Sequence, residues 1–333
     1  MSESKSVTPV TIAGTGSYVP EKILTNADLA KIVDTSDEWI TSRTGIKERR
    51  IAAEDEFTSD MATKAAEQAL EQAGIKTEDV ELIIVATITP DTPTPATACY
   101  VQTNLGAYSA VAFDISAACS GFLYAMKLAK RLISDGAYKN AVIIGAEKLS
   151  SVINWEDRNT CVLFGDGAGA AVLRRSEEGE GHILATEMGT DGRHTQLLEI
   201  KGGGSACPIT AANANDHLHT LTMQGREVFK LAVNAMRTAA ETVIERAGLT
   251  ADDIKLVVPH QANLRIIGAI ADRLAVPNEK VYVNLHKYGN TSAAAVAIAL
   301  DEAHREGRFE RGDNIILVVF GAGLTWAATA IEW

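Results

Sequence analysis

The chain has 333 residues, enough for about two domains, and its 46% hydrophobic and 22% charged composition excludes a disordered or fibrous protein. The formal charge of −12 argues against a bulk nucleic-acid binder, because phosphate recognition needs a clustered positive field. No run approaches the ~18 apolar residues of a membrane span, and Met1–Lys5 lacks the apolar core of a signal peptide. The expectation is a cytoplasmic protein without membrane insertion. Four cysteines, Cys99, Cys119, Cys161 and Cys207, are widely spaced, with no C-x-x-C pair and no matching histidine cluster. Reduced thiols and no metal site are expected.

In chain order, the first patterned element is a helix whose stripe Met61, Ala65, Ala69, Ala73 recurs every four residues. Gly74 then supplies the left-handed residue that ends it, and the apolar run Leu82–Val85 reads as a buried strand. Phe113–Cys119 predicts a strand and turn, followed by a helix from about Ser120 to Ser134 that stops at Gly136, then a strand over Ala141–Gly145. Gly165-Asp-Gly-Ala-Gly-Ala170 has the look of a dinucleotide loop. It leads into a strand rather than a helix opening on a phosphate, so close strand packing is the better reading. Residues 176–222 are polar and Gly-rich and read as a connector with surface excursions.

The pattern then repeats. Ala247–Pro259 resembles Ala73–Val85 at an offset of 174 residues, after a helix striped by Val228, Ala232, Ala235, Ala239 and Val243. Val283–Asn290 plays the part of Phe113–Cys119, a helix from about Thr291 to Arg305 stops at Gly307, and Ile315–Phe320 is the closing strand. Aligning Gly136 with Gly307 sets Cys119 opposite Asn290. Strands alternating with helices imply parallel sheet covered by helices. Two related halves, 1–175 and 176–333, should pack around a pseudo-twofold axis.

Cys119 sits among small residues at a predicted strand-to-helix turn, where the helix dipole should favour the thiolate. Cys99 and Cys161 lie in apolar stretches and read as small core residues. His260 follows a repeated strand, at the sheet edge where ligands bind; it could equally be a structural loop residue. Asn290 is either a hydrogen-bond donor to a ligand or, with Thr291, a helix cap. Gly321-Ala-Gly323 predicts a tight turn able to aim a backbone N–H inward. Together the three side chains offer one nucleophile and two donors.

These residues resemble the thiolase-fold condensing enzymes, and more narrowly the β-ketoacyl-[acyl-carrier-protein] synthase III family. The similarity runs from Gly14-Thr-Gly-Ser-Tyr-Val-Pro20 to Phe320–Trp326, through Asp37–Ile46, Ala117–Phe122, Pro259–Arg265 and Gly289–Ala293. The resemblance implies an α/β fold of two duplicated halves in an α-β-α-β-α sandwich. It implies a decarboxylative Claisen condensation of a short acyl-CoA with malonyl-carrier protein, through an acyl-Cys119 intermediate, by a homodimer without cofactors. It assigns hydrogen-bond donation to His260 and Asn290, and an oxyanion hole to the backbone N–H groups of Cys119 and Ala322. Trp39, Arg43 and Arg158 would contact the CoA nucleotide, Asn263 the pantetheine arm, and Phe229 and Lys230 would lie at the entrance. Gln261, Ala262, Asn263, Leu264, Arg265 and Arg273 would meet the acidic carrier protein, although Asp272 precedes Arg273 where relatives often have a basic pair. Thr94 stands where some relatives carry an aromatic at the acyl pocket, which would admit a longer or branched starter. A Cys/His thioesterase, a non-catalytic acyl-binding protein and, least, a nicotinamide oxidoreductase are the competing readings.

Overall fold

The computed structural model describes residues 8–333, so the reading of Met1–Lys5 lies outside the described residues. The first half runs β1 (Val10–Tyr18), β2 (Lys22–Thr25), α1 (Asn26–Leu29), α2 (Asp37–Thr44), β3 (Glu48–Ile51), α3 (Thr58–Ala73), β4 (Leu82–Ala86), α4 (Thr97–Leu105), β5 (Val111–Ile115), α5 (Gly121–Ser134), β6 (Asn140–Glu147) and β7 (Gly167–Arg175). The second runs β8 (Ile183–Thr190), β9 (Leu198–Ile200), β10 (Leu221–Met223), α6 (Gly225–Arg246), β11 (Ile254–Pro259), α7 (Leu264–Arg273), α8 (Leu285–Tyr288), α9 (Ala294–Arg305), β12 (Asn314–Gly321) and β13 (Thr325–Glu332).

The sheets show the duplication directly. The first has the order β1-β7-β6-β4-β5 and the second β8-β13-β12-β11. In each, a parallel pair (β4 with β6, β11 with β12) is followed by two antiparallel strands. The place of β5 in the second sheet is taken by a single parallel bridge between Val257 and Val281. The fully buried, all-apolar β4 has the composition of a strand covered on both faces.

Five layers result. α3 covers the outer face of the first sheet and α6 that of the second, while α5 and α9 fill the space between the sheets. The central position explains why α9 reads Ala-Ala-Val-Ala-Ile-Ala-Leu: nine of its twelve residues are buried, so small side chains must face both sheets. A Cβ on Gly169 would lie 2.6 Å from the Ala297 Cβ, so the glycine-rich stretch of β7 is a packing surface for α9 and not a phosphate loop.

Two expectations need correction. Residues 176–222 are more than a connector: they supply β8 to the second sheet, and β9 and β10 pair antiparallel over the central cavity. These strands mix polar and small residues and so carry no apolar run. Secondly, α9 begins at Ala294, not Thr291, because Ser292 takes a left-handed φ of 48° that a helix cannot continue. The left-handed Ala118 lies 174 residues earlier, at the offset of the strand repeat. The backbone counterpart of Cys119 is therefore Ala293, not Asn290. α9 is two residues shorter than α5 and begins one residue nearer its left-handed turn, which is why aligning the terminal glycines slips the register by three.

Candidate active site

A cavity of about 280 Å³ opens where the two halves meet. Cys119, His260 and Asn290 all line it, with Ala322, Trp39, Arg43, Phe229, Ala262 and Asn263. Most of the remaining wall is aliphatic or aromatic, including Leu198, Leu221 and Met223 from β9 and β10.

Cys119 stands in a short turn of 3₁₀ helix, Ala118–Ser120, that feeds α5. The left-handed Ala118 (φ 46°) bends the chain there. Only glycine is tolerated opposite, since a Cβ on Gly321 would lie 2.7 Å from the Cys119 backbone nitrogen. That approach brings the turn carrying Ala322 against the nucleophile turn, and the backbone N–H groups of Cys119 and Ala322 donate to no other backbone carbonyl in a turn or loop. The Thr325 hydroxyl ties the two turns together, its single proton shared between the carbonyls of Ala117 and Ala322, each 3.0 Å away. Ala322 is absent from the residues with positive φ, so its methyl group strains nothing.

The thiol itself departs from expectation. Burial pushes Cys119 up to about 12; the Ser292 hydroxyl opposes this and the Glu147 charge adds to it. The helix terminus does not by itself make a resting thiolate here, because desolvation of the sulfur outweighs it.

His260 follows β11, its backbone N–H donating to Val318 O (2.8 Å). It is 4% exposed and burial alone lowers it to about 4, so the ring is neutral at physiological pH. Nδ1 is walled in without a partner, which leaves Nε2 as the nitrogen able to meet a ligand. We expect the His260 C–H resonances to titrate near pH 4 in an NMR series; a midpoint near 6.5 would show a solvated ring. The folded value lies below the unfolded one, so His260 contributes stability above about pH 6.5 that is lost as pH falls through 4.

Asn290 caps a turn and not the helix itself, whose N-cap is Ala293. Its Oδ1 accepts from the Ser292 N–H (2.8 Å), an Asx-type cap of the turn before α9. That bond fixes the amide orientation and leaves Nδ2, a pure donor, free at the cavity wall. The asparagine is held by parallel pairing with Phe164: Asn290 N donates to Leu163 O (2.8 Å) and Gly165 N to Asn290 O (3.1 Å).

At the mouth, the Arg43 and Arg158 guanidiniums lie 4.5 Å and 5.3 Å from the Trp39 ring centroid. Arg158 stands outside the lining, bonded to Asp34 O at 3.0 Å. Asn263 caps α7 by accepting from Arg265 N (2.9 Å) and donates to Arg43 O (3.2 Å), joining the α2 and α7 walls. Lys230 pairs with Glu227 on the exposed face of α6 and lines nothing. Thr94 is exposed and lines neither this cavity nor the adjoining one walled by Thr92 and Pro93.

On the outer surface, Leu264, Arg265 and Arg273 are exposed on α7. Gln261 is not: it is 1% exposed, donates to Pro259 O and Tyr282 O, and accepts from Asn284 N and Leu285 N. All four of its hydrogen-bonding positions are spent inside, so it anchors the His260 loop and cannot meet a carrier protein. Sequence reasoning also passed over Glu147 and Ser292 beneath the thiol; Glu147 has no motif, Ser292 was overlooked inside Gly289–Ala293, and burial is what marks both. No cluster of three or more His, Cys, Asp or Glu residues able to hold a metal occurs among the described residues. No helix among them is long and apolar enough to cross a membrane.

Known proteins resemble this chain over nearly its whole length. The family model for 3-oxoacyl-[acyl-carrier-protein] synthase III matches residues 113–192, and the model for its C-terminal part matches 244–333. A β-ketoacyl-[acyl-carrier-protein] synthase III of Caldanaerobacter subterraneus subsp. tengcongensis is 59% identical over 97% of both chains. The crystal structure of the Aquifex aeolicus 3-oxoacyl-[acyl-carrier-protein] synthase III is 52% identical, with a TM-score of 0.90 over 97% of this chain and 100% of that one. The priming β-ketosynthase of the R1128 polyketide pathway is 36% identical, with a TM-score of 0.90 over 99% and 98%. Fold and relatives define a thiolase-fold condensing enzyme, an acyltransferase. The chain belongs to the β-ketoacyl-[acyl-carrier-protein] synthase III family. Its reaction is the condensation of an acyl-CoA with malonyl-acyl-carrier protein that starts fatty acid synthesis.

Proposed function

We propose that this condensation runs through an acyl group carried on Cys119, with His260 and Asn290 serving the decarboxylation. The observation that carries the reading is the convergence of Cys119, His260 and Asn290, with Ala322, on one cavity. The Cys119 sulfur attacks the thioester carbon of acyl-CoA, and the two N–H groups take the oxyanion as it forms. CoA leaves with the electron pair of its sulfur. Malonyl-carrier protein then sets its thioester oxygen against His260 Nε2 and Asn290 Nδ2. Loss of CO₂ places negative charge on that oxygen, so donors aimed there bind the transition state more tightly than the ground state. The carbanion attacks acyl-Cys119 and releases 3-oxoacyl-carrier protein.

Neutral donors suit this task. A histidine charged at rest would already hold the malonyl carboxylate, stabilising the group that must depart. The apolar wall excludes the water that would turn the acyl-enzyme into a thioesterase intermediate. No cofactor is required, and the protein is proposed to be a cytoplasmic homodimer. The Trp39, Arg43 and Arg158 cluster takes the CoA nucleotide, with planar groups for adenine and charge for phosphate. The test is product stoichiometry: acyl-CoA and malonyl-carrier protein should give one 3-oxoacyl-carrier protein and one CO₂ per CoA released. Free acid released from acyl-CoA alone would favour the thioesterase.

Leu264 and Arg265 on α7 form the proposed carrier-protein surface, a local positive patch on a chain of net charge −12. Arg265 Nη2 donates to Ser42 O at 3.1 Å, which ties the patch to the mouth. Arg265→Glu should raise the KM for malonyl-carrier protein about tenfold while leaving that for acyl-CoA near wild type. Equal changes in both constants would place the carrier protein elsewhere.

A further inference from the structure

We propose that Glu147, reached through the Ser292 hydroxyl, holds the Cys119 proton from the acylation step until condensation is complete. The inference rests on the reading of Cys119 as the acylated nucleophile and supplies what that reading lacks, a destination for the thiol proton.

Glu147 ends β6 directly beneath the nucleophile turn and is fully buried. Its two oxygens differ sharply. Oε2 is saturated, accepting from Thr87 Oγ1 (3.2 Å), Ile88 N (3.1 Å), Thr89 N (3.1 Å) and Thr89 Oγ1 (2.6 Å). Oε1 is buried with no partner. The Ser292 hydroxyl, 1% exposed, is likewise buried with no hydrogen-bond partner. It lies beside both the Cys119 thiol and the Glu147 carboxyl and favours the charged form of each. Thiol, hydroxyl and carboxyl thus form a row in which the middle and last members have unused hydrogen-bonding capacity. The backbone keeps it in place: Ser292 is held left-handed by the Asn290 cap, and Gly145 lacks a Cβ because the Ala293 carbonyl occupies that space.

The surroundings leave Glu147 as the acceptor. It is faced by Thr87, Ile88 and Thr89 from the loop after β4, by Cys119 from the nucleophile turn, and by Ser292 from the turn before α9. No lysine or arginine among the described residues bonds to it; Lys148 Nζ turns away to the carbonyls of Ala53, Glu54 and Glu56. His260 is a weak base, because burial opposes its protonation. Burial raises Glu147 to about 7, so its carboxylate accepts a proton at physiological pH.

The step balances as follows. The Cys119 S–H proton passes to Ser292 Oγ as the serine's own proton passes to Glu147 Oε1. The sulfur lone pair forms the bond to the acyl carbon, the bond to the CoA sulfur breaks, and the CoA thiolate takes a proton from water. Glu147 stays protonated beside the neutral acyl thioester. When the carbanion displaces Cys119 as thiolate, the proton returns by the same route. Glu147 touches no substrate and is a positioning and proton-holding residue.

The test follows CoA release in a single turnover with acyl-CoA from pH 5.5 to 9.5, using wild type, Glu147→Gln and Ser292→Ala, with thermal unfolding to confirm the fold. The amide introduced by Glu147→Gln keeps a carbonyl acceptor for the Thr87–Thr89 donors but cannot take a proton. Wild-type acylation should rise with pH through about 7 and level off, since the carboxylate form is required. Both variants should lose that limb, fall roughly 100-fold at pH 7.5, and climb without a plateau as the thiol itself ionises. Acylation of wild type, and not of Glu147→Gln, should also add an infrared band of a protonated carboxyl at pH 8. An unchanged pH profile in Glu147→Gln, or faster acylation at pH 7.5, would overturn the relay while leaving acyl-Cys119 intact. A wild type that carries no acyl group on Cys119 would overturn the reading beneath it as well.

Discussion

Cys119→Ser should lose acyl transfer almost completely, by on the order of 10⁴-fold or more. The substitution is nearly isosteric, so the reason is chemical. A hydroxyl is far harder to ionise than a thiol, and this site penalises charge heavily: burial already holds the native thiol at about 12. The paired N–H groups of Cys119 and Ala322 remain, but with no anion to attack the thioester they have no oxyanion to hold. Intact-protein mass spectrometry after mixing with acyl-CoA measures this directly. Wild type should gain the mass of one acyl group on the peptide containing Cys119, and the variant none. Since His260 and Asn290 are untouched, the variant should still release CO₂ from malonyl-carrier protein without forming product. An acylated Cys119→Ser would place the nucleophile elsewhere.

Asn290→Ala should separate the two halves of the reaction. Acylation makes no use of Nδ2 and should stay close to wild type. Condensation should fall roughly 10²–10³-fold, the usual cost of removing one donor from a developing oxyanion. Alanine also removes the Oδ1 bond to Ser292 N, so Asn290→Asp is the needed companion. Aspartate keeps that acceptor and the turn, yet replaces the donor with negative charge facing an enolate. It should condense no better than alanine while unfolding at nearly the wild-type temperature. Rapid-quench measurement of acyl-enzyme and of 3-oxoacyl product reads both steps. Equal loss of acylation in both variants would assign Asn290 to the first step instead.

The candidate site was legible where the chain repeats itself. Each copy ends a strand at a sheet edge, and that placement singled out Cys119 and His260 from the other cysteines and histidines. Gln261 was misread because a polar residue beside a functional histidine looks available, whereas its four bonds turn it inward. Thr94 lies exposed outside the cavity lining, and similarity along a chain carries no information on which way a loop faces. The β9–β10 wall was missed because three-residue strands have too short a period to detect.

By itself the sequence determined the α/β alternation, the duplication, the helix ends at Gly74, Gly136 and Gly307, and the types of side chain available for chemistry. These follow from local periodicity and from the φ freedom of glycine, which depend on neighbours along the chain. Tertiary structure alone decided that the thiol rests protonated, that His260 is neutral, that Asn290 caps a turn while its Nδ2 stays unbonded at the cavity wall, and that Glu147 lies under the sulfur with one oxygen unused. Each of those is a consequence of burial and of contacts between distant parts of the chain, and desolvation has no signature in a linear string.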